Sequence, residues 1–227
     1  MIPILVAHGT RKPGGVAMVA ELADRVGAAL GTPVRTAFVD VLGPTPSDVL
    51  RAVTDEPAVL VPAFLARGYH VRVDIPAAVA AGGHPDVTVT EALGPSPQLV
   101  RVLTDRLLAS GWRSGDAVVF AAAGTSDRGA QRDLRITAAM LSAAIGQRVE
   151  IAYAATGEPG VADAVAQARA RGARRVAVAS YLLADGLFQD RLRTSGADVV
   201  AEPLGVHPGV VRLVAGRFRR ARVPVAA

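Results

Sequence analysis

The chain contains no cysteine. That removes disulfides, thiolate zinc sites and iron–sulfur ligation from consideration, and leaves histidine and carboxylate as the side chains able to hold a metal ion. Aromatic residues make up only 4% of its 227 residues, and no reader motif interleaves them with basic residues, so the composition argues against nucleic-acid recognition. No apolar run approaches the roughly 18 residues of a membrane span. The opening segment, Met1-Ile-Pro-Ile-Leu-Val-Ala-His8, has no basic leader and a short apolar stretch. It reads as a strand and not as a signal peptide. Together these absences lead us to expect a cytoplasmic protein with neither a membrane nor a nucleic-acid partner. Lysine is nearly absent too: Lys12 stands alone among many arginines.

Hydrophobic residues supply 51% of the chain and mean hydropathy is +0.33, ample for buried parallel strands. The net charge is +5. Arginines recur towards the C-terminus at Arg174, Arg175, Arg217, Arg219, Arg220 and Arg222. They read either as a solvated basic surface or as an attraction for a polyanionic small molecule.

The chain is written twice. Leu5-Val-Ala-His-Gly-Thr10 matches Phe120-Ala-Ala-Ala-Gly-Thr125, and Val34-Arg-Thr-Ala-Phe-Val-Asp40 matches Val149-Glu-Ile-Ala-Tyr-Ala-Ala155, both at an offset of 115. A third pair, Phe64-Leu-Ala-Arg-Gly-Tyr-His70 and Leu182-Leu-Ala-Asp-Gly-Leu-Phe188, follows at an offset of 118. Glycines, threonine and apolar character persist in both copies. His8, Asp40 and His70 become Ala123, Ala155 and Phe188. Residues that specify the fold are therefore kept twice, while three side chains able to bind metal or protons occur once.

Short β-branched runs alternate with helical stretches in each half, the pattern of βαβ units in an α/β fold. The first half reads as strands at Ile2–Ala7, Val34–Val39, Val59–Phe64 and Val87–Glu91. Its helices read as Val16–Leu30, Pro46–Thr54, Val73–Ala81 and Ser96–Ala109. The second reads as strands at Ala117–Ala122, Val149–Ala154, Val176–Leu182 and Asp198–Ala201. Its helices read as Ala130–Ala144, Val161–Arg171, Gln189–Thr194 and Pro208–Arg220. The polar, glycine-bearing stretch Ala109-Ser-Gly-Trp-Arg-Ser-Gly-Asp116 joins two expected halves, 1–112 and 113–227.

In parallel sheets the functional loops lie at the carboxyl ends of the strands. His8, Asp40 and His70 follow the first, second and third strands, so all three are expected on one edge of one sheet. Each also has a local reading: His8 as the cap of its turn, Asp40 as the cap of the Gly43-Pro44 turn, His70 as an exposed helix start. Loss of all three from the second copy favours a shared chemical role. Two imidazoles and a carboxylate suit Fe2+, Co2+, Ni2+ or Zn2+, and the same groups accept protons near neutral pH. His84 and His207 read as structural or surface residues. Asp74, Glu91 and Glu21 read as ordinary helix-start, strand-end and helix-surface positions.

His8-Gly-Thr-Arg11, Ala37-Phe-Val-Asp40 and Val61-Pro-Ala-Phe-Leu-Ala-Arg-Gly-Tyr-His-Val-Arg-Val-Asp-Ile-Pro76 together resemble the sirohydrochlorin chelatase family in its long, two-half form. These lyases insert iron or cobalt into sirohydrochlorin during siroheme or cobalamin synthesis. The resemblance implies two α/β halves, each with a four-stranded parallel sheet, facing across a cleft, and no organic cofactor. It implies metal-binding and catalytic roles for His8 and His70. Asp40 stands where the family commonly has glutamate. The divalent metal and the carboxylate-rich tetrapyrrole would both be substrates. Arg11, Lys12, Arg67 and Arg72 are candidates to contact those carboxylates, and Thr125 and Ser126, with Arg128, are candidates from the second half.

Two other readings compete. A metal or tetrapyrrole carrier without turnover would also retain the three residues. A histidine phosphatase-like enzyme also places His-Gly after a strand. It requires an arginine directly before the histidine, however, and here that position is Ala7.

Overall fold

The computed structural model describes residues 1–221; Arg222 lies outside them. Two four-stranded sheets, all parallel, organise the chain. The first has β1 (Ile2–Ala7), β2 (Arg35–Phe38), β3 (Ala58–Pro62) and β4 (Val87–Val89), in the order β2-β1-β3-β4. The second has β5 (Ala117–Gly124), β6 (Val149–Thr156), β7 (Val176–Tyr181) and β8 (Val199–Val200), in the order β6-β5-β7-β8. Helices α1 (Pro13–Leu30), α2 (Pro46–Arg51), α3 (Ile75–Gly82) and α4 (Pro97–Ala109) follow the strands of the first sheet. Helices α5 (Arg128–Ile145), α6 (Val161–Ala170), α7 (Leu187–Arg193) and α8 (Pro208–Ala221) follow those of the second. No described helix is long and apolar enough to cross a membrane.

The repeat seen in the sequence is a repeat of register. Ala7 pairs with Phe38 and Ala122 with Tyr153, both shifted by 115; Ile4 pairs with Leu60 and Val119 with Val178, shifted by 115 and 118. Phe38 N–H donates to Pro44 O at 2.9 Å, and Tyr153 N–H to Pro159 O at 3.0 Å. Leu93 N–H donates to Phe64 O, and Leu204 N–H to Leu182 O, each at 2.9 Å. Because strand side chains alternate in direction, matched register means that matched residues face matched sides of their sheets.

In the first sheet Ile4, Val6, Ala37, Ala58 and Leu60 point to one face, where Val49 and Leu50 of α2 and Ile75 of α3 cover them. α1 and α8 pack together, with α8 against β3. In the second sheet Val119, Ala121, Val176 and Val178 are covered by Val161, Ala164, Val165 and Ala168 of α6 and by Leu192 of α7. α4 and α5 pack on each other, α4 against β7 and α5 against β6. Burial of these aliphatic side chains, about 25 cal/mol per Å² of apolar surface, is the main stabilising term in each three-layer unit.

The compact units do not follow the linear halves. One comprises Met1–Leu93 with the helix that begins at Pro208; the other is Gly94–His207. Against the expected halves, 1–112 and 113–227, the two final helices have changed places. α4, which follows the first sheet in sequence, belongs to the second unit, and α8 belongs to the first. The helices enter through similar segments, Leu93-Gly-Pro-Ser-Pro97 and Leu204-Gly-Val-His-Pro208, so sequence pattern alone does not say which sheet each will cover.

Element ends deviate modestly from expectation. β5 and β6 each run two residues further, to Gly124 and Thr156, and the third helix is preceded by a π-helical turn, His70–Asp74. Pro76 explains the widening. It has no N–H to offer, and its ring crowds the carbonyl of residue 72, so a regular α-helical turn cannot run through it.

The exchange of α8 carries a prediction. Phe218 of α8 is fully buried, so Phe218→Ala should cost about 3–5 kcal/mol. Hydrogen exchange should report the loss first in β1 and β3 of the unit that this helix covers, although both strands lie far from it in sequence. Protection lost mainly in β5 and β7 would contradict the assignment of α8.

Candidate active site

Strand β1 is buried from Pro3 to Ala7, and the next residue, His8, is exposed. The central position of β1 makes this edge the anchor for its neighbours. Val39 N–H donates to Ala7 O and Asp40 N–H to His8 O, each at 3.0 Å, and Ala63 N–H donates to Val6 O at 2.7 Å. The loops after β2 and β3 are therefore tied to the end of β1. His8, Asp40 and the segment leading to His70 all leave the sheet at the same edge.

Gly9 makes the close approach possible. Its φ is 96°, and a Cβ there would collide with the carbonyl oxygen of Asp40, so only glycine fits between the two loops. Gly124, at φ 98°, plays the same part in the second copy, but the carbonyl it meets is that of Thr156. Strand β6 carries a bulge, with Ala122 opposite Tyr153 and Gly124 opposite Thr156. By this contact the counterpart of Asp40 is Thr156, one residue beyond the Ala155 expected from the linear match. An inserted strand residue is accommodated by such a bulge without disturbing the ladder on either side.

The structure brings two of the three first-half residues into direct contact. The rings of His8 and His70 lie 4.6 Å apart, centroid to centroid, at 89° to one another. Phe64 flanks the His70 ring at 5.9 Å and Tyr69 at 6.1 Å. His8 Nδ1 lies 3.1 Å from Gly9 O, and His70 Nδ1 lies 2.5 Å from Asp74 Oδ2. Both partners are acceptors, so in the neutral imidazoles both Nδ1 atoms carry the proton and both Nε2 atoms are left with a lone pair. Among the described residues neither Nε2 has a hydrogen-bond partner. Neutral imidazole nitrogens of this kind are able to coordinate a borderline cation.

Asp40 reaches the same edge through its backbone, but its side chain serves its own turn. Oδ1 accepts from Val41 N–H at 2.7 Å, and the Asp40 carbonyl accepts from Leu42 N–H at 2.7 Å. Val41 between them has a φ of 68°, a strained γ-turn geometry for a β-branched residue. No group of three His, Asp or Glu side chains placed to hold a metal occurs among the described residues. What stands together is a histidine pair, with Asp74 behind one ring. Asp74 is the residue that sequence reasoning passed over as a helix start. The signal was present in its i,i+4 spacing from His70, which brings two helical residues together.

The basic candidates Arg11, Lys12, Arg67 and Arg72 are all exposed, in the loops after β1 and β3 and in the π-helical turn. Thr125 and Ser126 follow β5 in the other unit. Thr125 Oγ1 accepts from Asp127 N–H at 3.1 Å, and its carbonyl accepts from Gln131 Nε2 at 3.0 Å. Ser126 is exposed, and so is Phe188, the counterpart of His70, which stacks beneath Arg191. His84 is buried. Its Nε2 donates to Val53 O at 2.9 Å and Glu56 O at 3.1 Å, and its Nδ1 accepts from Asp86 N–H. His207 Nε2 lies 3.6 Å from Asp105 Oδ2.

Comparison with known proteins identifies the family and the fold. The CbiX family model matches the chain twice, over residues 3–110 and 117–221. The chain belongs to the CbiX family. The curated sirohydrochlorin cobaltochelatase of Methanothermobacter thermautotrophicus is 28% identical over 126 residues, covering 46% of this chain and 88% of that protein. Among solved structures, SirB from Bacillus subtilis with Fe3+ superposes with a TM-score of 0.80 at 21% identity, covering 97% of this chain and 95% of SirB. A structure of CbiX, described as the terminal enzyme of siroheme biosynthesis in denitrifying bacteria, gives 0.73 at 22% identity, covering 98% and 100%. At these identities the structural likeness is one of fold, and it extends over both sheets of this CbiX family member.

The histidines differ in what their removal should do. His84→Ala strands the buried carbonyl of Val53 and the partly buried Glu56 carbonyl and Asp86 N–H, and should lower stability by about 1–3 kcal/mol. His8→Ala, at an exposed loop position, should change it by less than about 0.5 kcal/mol. Urea denaturation of both variants checks this, and equal losses would mean that His8 is structural.

Proposed function

We propose that this chain is a sirohydrochlorin chelatase, placing a divalent metal ion, Fe2+ or Co2+, into sirohydrochlorin for siroheme or cobalamin synthesis. The observation that carries the proposal is the His8–His70 pair. It stands at the carboxyl edge of one sheet in a chain of the CbiX family, and the duplicate sheet has lost both rings.

The chemistry follows from what the pair offers. Insertion replaces water on the cation with four ring nitrogens and releases two pyrrole N–H protons. The two Nε2 atoms hold the cation from one side, and with only two protein ligands the remaining positions stay open to the macrocycle. As the metal passes to the ring nitrogens, each Nε2 is freed and accepts one of the departing protons, so two N–H bonds break and two form. Asp40, at the same edge, is assigned a supporting role in moving those protons towards solvent. Nothing in this donor set selects among Fe2+, Co2+ and Ni2+.

Substrate recognition is assigned to charge. The macrocycle bears carboxylates around its rim, and Arg11, Lys12, Arg67 and Arg72 surround the histidine pair in sequence and sheet position. Thr125 and Ser126 are assigned polar contacts with the same substrate.

Anaerobic insertion with Fe2+, Co2+ and Ni2+ in turn, followed by tetrapyrrole absorbance, tests this reading. His8→Ala and His70→Ala should each lower kcat by about 10²-fold or more while the protein stays folded, and Asp40→Ala should lower it less. Stoichiometric metal or tetrapyrrole binding without turnover would favour a carrier instead. Near-normal turnover in either histidine variant would remove the site assignment.

A second prediction concerns the arginines. Arg67→Ala and Arg72→Ala should mainly raise KM for the tetrapyrrole, because ion pairs at its rim exist in ground and transition states alike. Each should cost about 0.5–2 kcal/mol, and the effect should shrink at higher salt, where screening acts over about 8 Å. KM values unchanged by substitution and by ionic strength would place the substrate carboxylates elsewhere.

A further inference from the structure

The two histidines are set in place by different means. His8 is oriented by a backbone carbonyl, that of its neighbour Gly9. His70 is oriented by a side chain, the carboxylate of Asp74, at 2.5 Å. Both members of the second pair are about one-third exposed, His70 at 35% and Asp74 at 32%. Their contact therefore does not follow from burial and is not forced by the core.

The duplication shows how Asp74 comes to stand there. Phe64 and Leu182 occupy equivalent places, each accepting the same bond from the strand-to-helix segment after its sheet. From these points the next fully buried apolar helix residue is Leu192 in the second copy and Ile75 in the first. Leu192 comes ten residues after Leu182, whereas Ile75 comes eleven after Phe64. The first copy thus holds one additional residue, and the wide turn in which Ile75 N–H donates to His70 O absorbs it. Without that residue, position 74 would be the core position that leucine fills in the other copy. A carboxylate there would be buried in aliphatic surroundings, which strongly disfavours its charged form. With it, Ile75 takes the core position and Asp74 turns to the His70 side. In the second copy the histidine, the carboxylate and the wide turn are all absent together: Phe188 and Leu192 lie in a regular α-helix, α7.

We propose that Asp74 is a positioning residue for metal binding: its carboxylate accepts the Nδ1–H of His70, holds the ring against rotation and fixes the tautomer that directs the Nε2 lone pair to the cation. A carboxylate behind a ligating imidazole commonly has this effect, and its loss typically weakens metal affinity 10–100-fold. The proposal rests on the reading of His8 and His70 as the metal-holding pair. His8, with its own backbone acceptor, is independent of Asp74 and serves as an internal control.

The test uses the 15N-labelled full chain without metal, at a pH where both imidazoles are neutral. Two-bond 1H–15N spectra distinguish Nδ1–H from Nε2–H rings, and Co2+ binding is followed by its visible absorption without tetrapyrrole. In the wild type both rings should be Nδ1–H. In Asp74→Ala, His70 should shift towards the Nε2–H form while His8 keeps its tautomer, and Co2+ affinity should fall 10–100-fold. Asp74→Asn, which keeps shape and one acceptor oxygen, should fall between the two. Asp74→Glu should recover part of the affinity if its carboxylate reaches Nδ1. A wild-type His70 in the Nε2–H form would overturn the proposal, as would an Asp74→Ala protein with unchanged tautomer and affinity. The chelatase reading is judged separately, by turnover of His8→Ala and His70→Ala. Its failure would leave the tautomer result standing, and failure of the tautomer result would leave the histidine pair in place.

Discussion

Everything at the candidate site hangs from the parallel ladder of β1. This strand pairs with β2 on one side and β3 on the other, and its last residues accept bonds from the loops that follow both. A buried central strand is the most rigid element of such a sheet, since both faces are covered and both edges paired. Chain direction does the rest. In an all-parallel sheet three successive strands deliver their loops to one edge, so residues 8, 40 and 70 are gathered without any direct attraction between them. The change from buried Ala7 to exposed His8 within one residue places an exposed imidazole on a stiff support, as a site that must hold defined geometry requires.

The duplicated unit shows the same scaffold relieved of that task. Its register, its positive-φ glycine and its loop-closing bonds are kept, because they are conditions of folding. At the place of His70 it has Phe188, and the following residue, Gln189, is fully buried, receiving a hydrogen bond from Ser180 Oγ and donating to Ala201 O. That network fastens α7 to its sheet, where the first copy instead has a wide turn with two partly exposed polar side chains. Ser180 and Gln189 of the second unit thus satisfy one another inside the core. In the first unit two imidazole nitrogens remain unspent at the surface. At the site edge the copies differ in the two imidazoles, in one additional helical residue of the first copy and in one additional strand residue of the second.

Charge and exposure divide the labour in a similar way. A neutral histidine pair carries no formal charge, which in the proposed reaction suits a cation that must be released as well as held. The arginines of the adjoining loops supply the positive field. In the proposed reaction a polyanionic macrocycle would meet the long, exposed basic side chains while the cation meets uncharged nitrogens, so the two substrates would draw on different groups of the same edge.

What the sequence determined by itself was the local and the repeated. Apolar periodicity located every strand and helix to within a few residues, and the two offsets anticipated the register of both sheets. The absence of cysteine restricted the donors to histidine and carboxylate, and loss of His8 and His70 from the second copy singled them out. Tertiary structure decided the rest. Which sheet α4 and α8 would cover was undetermined, because either amphipathic helix suits either of two similar sheets and only packing in three dimensions discriminates between them. The shift of Asp40's counterpart to Thr156 depended on a bulge that leaves no pattern in a linear match. The partnership of Asp74 with His70 depended on a turn widened by one residue, and the direction in which a carboxylate points is set by the packing of its neighbours, here Ile75 entering the core in its place.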